Sequence, residues 1–200
     1  MGNIRSKIAV NHLSDKCGLL KFVEKVDKYD LNSPAVSLMV DFTKTNSITA
    51  SSNMVVNDAL ELMRSKGIRA LMVINSKGDF AGLISSMDLM GRKPMAYANE
   101  AGIPRSEVQV KDIMLSKARL KAVKRSDVEK STLDDIVQIF LELKEQHLLV
   151  VEGLGNDQQI SGMFSTSDLK RALNVNIDTL LVANTLMDIE RVINENRELM

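Results

Sequence analysis

The chain is short of the residues on which several function classes depend. Cys17 is its only cysteine, so no disulfide can form within the chain, and one cysteine with two histidines cannot supply an ordinary structural zinc site. That usage fits a reducing, cytoplasmic setting. No apolar run approaches the roughly 20 residues that span a bilayer, and the start Met1-Gly-Asn-Ile-Arg-Ser6 has no apolar signal core. The same start matches the N-myristoylation pattern, with Gly2 as acceptor and Ser6 in the favoured place, but so short a pattern often arises by coincidence. Net charge of one sign is also missing: Lys plus Arg and Asp plus Glu both number 26. No long-range field therefore draws in nucleic acid or an anionic membrane. The cluster Lys117, Arg119, Lys121, Lys124 and Arg125 is offset by Asp127 and Glu129 and reads as a solvated loop.

What the chain does have is a 44% hydrophobic content, enough to fill a core, and an internal duplication. Val56, Ala59, Leu60 and Met63 recur at helical spacing, as do Leu133, Ile136, Val137 and Phe140, with an offset of 77 at each position. Thr132-Leu-Asp-Asp135 supplies a capping box for the second helix, whereas the first has only Asn57 to offer. Each helix leads into a buried apolar run, Ala70–Ile74 and Leu148–Val151. Turn sequences and a second strand follow, Phe80–Ser85 and Ile160–Ser165, which predicts two hairpins. The offset moves from 77 to 80 within the second turn, where an insertion costs least.

Both hairpins run into a shared motif, Gly82-Leu-Ile-Ser-Ser-Met-Asp-Leu89 and Gly162-Met-Phe-Ser-Thr-Ser-Asp-Leu169. Ser85 and Ser165 each follow a strand and precede a helix, so hydroxyl and helix amides favour an anion there. Asp88 and Asp168, three residues on, have carboxylates suited to the two hydroxyls of a ribose. Ser-x-x-Asp is equally a capping box, which would do no more than satisfy the helix start. Two aligned copies favour the ligand.

This order of helix, strand, strand and Gly-apolar-apolar-Ser-x-x-Asp-Leu, twice over about residues 36–174, resembles the CBS family. Ser37-Leu-Met39 and Asp112-Ile-Met114 are similar to the family's lead-in. Met72 and Leu149 depart from it, standing where many members have proline, and Lys144-Glu-Gln-His147 lacks the glycine that Gly67 supplies in the first copy. The resemblance implies an α/β (α+β) fold, a tandem pair of β-α-β-β-α repeats. The expected organisation is an N-terminal segment 1–35 with a helix around Leu19, Leu20, Val23 and Val26, repeat 1 at 36–91, and a linker at 92–109 in which Pro94, Gly102 and Pro104 bracket a short helix. Repeat 2 at 110–174 and an amphipathic helix at 175–200, carrying Val182, Leu186, Ile189 and Ile193, complete it.

The resemblance further implies an adenine nucleotide, AMP, ADP or ATP, held as a regulatory ligand between the repeats. Ribose would fall to Asp168 in one cleft and Asp88 in the other. Phosphate would fall to Ser165 with Thr166 and to Ser85 with Ser86, aided by Arg69, His147 and Arg171. Adenine would sit among Thr43, Asn46, Ile48, Ile68 and Met163. The cleft of Asp168 is expected to be the better one, since Lys170 and Arg171 follow it where the other motif has Met90 and Gly91. A homodimer and an effector protein are the implied partners. A ligand-free dimerisation or interaction module is the alternative. No phosphate loop, dinucleotide fingerprint or triad spacing is present, so no catalytic residue is assigned.

Overall fold

The computed structural model describes residues 29–174. Gly2, Cys17, the helix expected around Leu19–Val26 and the helix expected beyond 175 lie outside them. The first half contains β1 (Val40–Asp41), β2 (Thr49–Ser51), α1 (Val56–Lys66), β3 (Ala70–Ile74), β4 (Phe80–Ser85) and α2 (Ser86–Met90). After the linking α3 (Lys93–Ala101), the second half contains α4 (Val110–Ile113), β5 (Leu115–Ser116), β6 (Ala122–Lys124), α5 (Arg125–Val128), α6 (Leu133–Leu143), β7 (His147–Glu152), β8 (Gln159–Ser165) and α7 (Thr166–Leu173).

The two long helices form where the apolar spacing places them. Leu133, Ile136, Val137 and Phe140 of α6 are buried, and so are Val56, Ala59 and Met63 of α1, with Leu60 partly covered. Thr132 caps α6 through a reciprocal box with Asp135. Asn57 does not cap α1. It lies inside the helix and accepts a bond from Arg105, while the Val56 N–H at the helix start donates to the Val108 carbonyl at 3.0 Å. At the C-termini Gly67 takes the left-handed conformation at φ 64, and Lys144 adopts it at φ 53 in glycine's place. The linker helix has Pro94 in its first turn and ends on left-handed Gly102.

Four strands make each of two sheets, in the orders β2-β3-β4-β5 and β1-β8-β7-β6. The halves therefore exchange their first strands: β1 pairs with β8 (Val40 opposite Met163, Asp41 opposite Gly162), and β5 pairs with β4 (Leu115 opposite Leu83, Ser116 opposite Gly82). The motif glycines make room for this crossing. A Cβ on Gly82 would lie 2.3 Å from the Leu115 carbonyl oxygen, and one on Gly162 would lie 2.9 Å from that of Val40.

The segments leading into the exchanged strands cross over as well. Ala35 and Met39 are buried in the core beneath α6, and Val108, Val110 and Ile113 in the core beneath α1. Between the sheets, Met72, Leu83, Leu149 and Met163 form a third buried cluster. Met72 and Leu149 donate their N–H groups to the carbonyls of Ile48 (3.2 Å) and Lys121 (3.0 Å), bonds that proline cannot make.

Candidate functional site

The hairpins carry both Ser-x-x-Asp motifs to equivalent places. Ala70 pairs with Ser85 and His147 with Ser165, and each serine becomes the N-cap of the helix that follows. The first helical amides are already used: Ser86 N–H donates to the Arg69 carbonyl at 2.8 Å, and Thr166 N–H to that of Gln146 at 3.1 Å. Asp88 N–H and Asp168 N–H donate to their serine hydroxyls. Each hydroxyl donates in turn to its aspartate, at 2.7 Å for Ser85 to Asp88 and 2.6 Å for Ser165 to Asp168. The helix starts thus offer fewer free donors than the motif alone suggests, and an anion would rely more on side-chain cations.

Beside these helix starts lies a cavity of about 580 Å³. Asp168, Ser165, Thr166 and Arg171 line it from the second motif, and Ser85 and Ser86 from the first. Arg69 and His147 reach it from the starts of the central strands. Asn46, Ile48, Ile68 and Met163 complete the expected set within it. Two expected residues are not in the lining. Thr43 is exposed and bonds back within its own loop, where its N–H and Oγ1 donate to Asp41 Oδ1 at 3.0 and 2.7 Å. Asp88 is held by Ser85 and by Lys93, whose Nζ lies 2.6 Å from Oδ1.

Phe42, Thr45, Ser47, Gln146, Ser167 and the exposed Met87 and Met90 line the cavity without having been expected there. Gln146 had a signal in the sequence, since it stands 77 positions after Arg69 and occupies the corresponding place. Phe42 had none, because it follows β1, which pairs with a strand of the other half.

The electrostatics differ between the motifs. Burial raises the Asp88 carboxyl, but the bond from Lys93 and the hydroxyl and amide of Ser85 outweigh it, leaving the group below the usual carboxylate range. Asp168 is met by Arg171, whose Nη2 is 2.9 Å from Oδ1 and whose side chain remains largely exposed. Burial pushes the His147 imidazole below its ordinary value, against the opposing pull of Asp88 and Asp168. Arg125, expected in a solvated loop, instead forms a two-pronged pair with Asp41, at 3.0 and 2.8 Å, at the foot of the loop between β1 and β2.

Comparison with known proteins places these observations. Residues 39–93 match the family model of the CBS domain. A 98-residue stretch is 30% identical to an uncharacterized protein of Methanopyrus kandleri, covering 48% of this chain and 50% of that one, so the match spans about half the relative's length. Among solved structures, an uncharacterized conserved protein from Pyrococcus horikoshii superposes with a TM-score of 0.51 at 21% identity, covering 74% of this chain and 96% of that one. A CBS-domain containing protein from Agrobacterium tumefaciens does so with a TM-score of 0.50 at 16% identity, covering 77% and 98%. At these identities the two structures speak for the fold alone. No helix among the described residues is long and apolar enough to cross a membrane.

Proposed function

We propose that this chain, which belongs to the CBS-domain family and has the fold of a CBS pair, binds an adenine nucleotide as a regulatory ligand in the cleft lined by Asp168. The observation that carries this reading is the convergence, in one cavity of about 580 Å³, of a carboxylate, two guanidinium groups and an apolar wall. That volume falls in the range of small-molecule sites, which pair apolar walls with a few placed polar groups. Asp168 would accept from the ribose diol, releasing part of its contact with Arg171. Arg171, Arg69 and the Ser165–Thr166 helix start would face phosphate. Ile48, Ile68 and Met163 would hold the base, with Asn46 reading its edge.

The repeats at 36–91 and 110–174 would act as one unit, because each lends the other its first strand. A nucleotide can change such a unit only by binding two of its states unequally. The output would pass to a cytoplasmic effector protein through a homodimer, with no chemistry performed by this chain. The complete Ser85–Asp88 capping box favours a second reading for the first motif, in which it serves only the helix start.

Thermal unfolding of the full chain with AMP, ADP, ATP and their guanine counterparts tests the reading. Adenine nucleotides should raise the melting temperature, and guanine nucleotides should raise it less. An unchanged melting temperature up to millimolar adenine nucleotide would favour an interaction module without a small ligand.

A further inference from the structure

Arg125 leaves the end of β6 and reaches across to the other half of the chain. Its Nη1 lies 3.0 Å from Asp41 Oδ1 and its Nη2 2.8 Å from Oδ2, a two-pronged pair that fixes direction as well as distance. Glu129 and Glu152 each approach its Nε at 3.3 Å. The side chains of Asp41 and Arg125 retain only 10% and 18% of their exposure.

Asp41 in turn organises the start of the loop between β1 and β2. Its carboxylate takes the N–H and hydroxyl of Thr43. Its carbonyl takes the N–H groups of Lys44 (3.1 Å) and Thr45 (3.0 Å) and the Thr45 hydroxyl (3.0 Å). From that turn the chain delivers Phe42, Asn46 and Ile48 to the cavity wall. The base-facing loop comes from one half, and the group that holds its foot comes from the other.

We infer that Arg125 is a positioning residue for the nucleotide cleft: through Asp41 it sets the loop that holds the base, without touching the ligand itself. This rests on the nucleotide reading above. By sheet register the corresponding positions of the other half are Ser116, opposite Gly82, and Ser52, which follows Ser51 opposite Ile74. Two serines cannot form a charged fork. The device therefore belongs to one side of the pair, the side on which the cavity lies.

The test titrates AMP calorimetrically into the full chain and its variants, with ribose 5-phosphate, which has the sugar and phosphate but no base, measured by displacement of AMP. Asp41→Asn keeps the size of the side chain and an acceptor for Thr43 while removing the charge. It should weaken AMP by about tenfold or more and leave ribose 5-phosphate within about twofold of wild type. Arg125→Lys should fall between wild type and Arg125→Gln for AMP, and it supplies the readout if Asp41→Asn folds poorly. All affinities are taken at a temperature where circular dichroism shows the variant folded. Unchanged AMP affinity in both Asp41→Asn and Arg125→Gln, or equal losses for AMP and ribose 5-phosphate, would overturn the inference. A wild-type chain that binds no AMP would instead overturn the nucleotide reading, and the inference with it.

Discussion

Lys93 Nζ sits 2.6 Å from Asp88 Oδ1, while Ser85 closes on the other carboxylate oxygen through its hydroxyl at 2.7 Å and its backbone N–H at 3.0 Å. Asp88 is thereby committed to the start of α2 and to the linker helix. Asp168 shares the serine contact but meets an exposed arginine and lines the cavity. The two copies of the motif thus differ in which carboxylate lines the cavity.

The commitment of Asp88 has a pH signature. Because its folded pKa lies below the ordinary value, its contribution to stability is complete above the unfolded carboxylate pKa of about 4 and is lost as pH falls through the lower folded value. Asp88→Ala should cost about 0.5–2 kcal/mol at pH 7, the usual worth of a cap. Urea unfolding of wild type and variant from pH 7 down to about pH 2 should show that gap close in acid.

Gly82 and Gly162 should both resist replacement by alanine, but unequally. At Gly82 the obstacle is backbone, the Leu115 carbonyl at 2.3 Å, whereas at Gly162 contacts at 2.9 Å include the flexible Met39 side chain as well as the Val40 carbonyl. Gly82→Ala should therefore cost about 1–3 kcal/mol or more, and Gly162→Ala less. Denaturant midpoints of the two variants check the order.

Much of this architecture was legible in the sequence, because long elements carry periodicity. β3 and β4 occupy the expected residues, α6 starts at its capping box, and the insertion in the second hairpin falls in the turn. Strand exchange was not legible. β1 and β5 have two residues each, too few for any alternation to show, and they are held by close glycines in another part of the chain. Nor was the pairing of Asp41 with Arg125 legible, since it joins residues 84 positions apart. The contact between Ser165 and Asp168 is legible because the helix start that gathers the two is local.

Lys144 holds a left-handed conformation that costs a residue with a Cβ about 1–2 kcal/mol. Glycine has no such cost but loses more freedom on folding. Lys144→Gly should leave a net gain of up to about 1 kcal/mol, read as a higher thermal midpoint. Gly67→Ala, at the matching helix end, should lose stability for the same reason.

His147 lines the cavity within the fields of both motif carboxylates, and burial keeps its imidazole below the ordinary pKa of about 6.5. Its contribution to stability is present above that pH and is lost as pH falls through the depressed folded value. A phosphate entering the cavity would favour the protonated ring. AMP binding near pH 6 should therefore take up more protons in wild type than in His147→Gln, seen as a difference in how the binding heat depends on the buffer's ionisation enthalpy.

Calorimetric titration of an adenine nucleotide into wild type, Asp168→Ala and Asp88→Ala, each first shown to be folded, tests the central claim most directly. The expected result is one nucleotide per chain, with Asp168→Ala weakening it by about tenfold or more, the worth of a charge-assisted contact of roughly 1.5–3 kcal/mol, and Asp88→Ala weakening it less. Binding that survives Asp168→Ala and is abolished by Asp88→Ala would contradict the account.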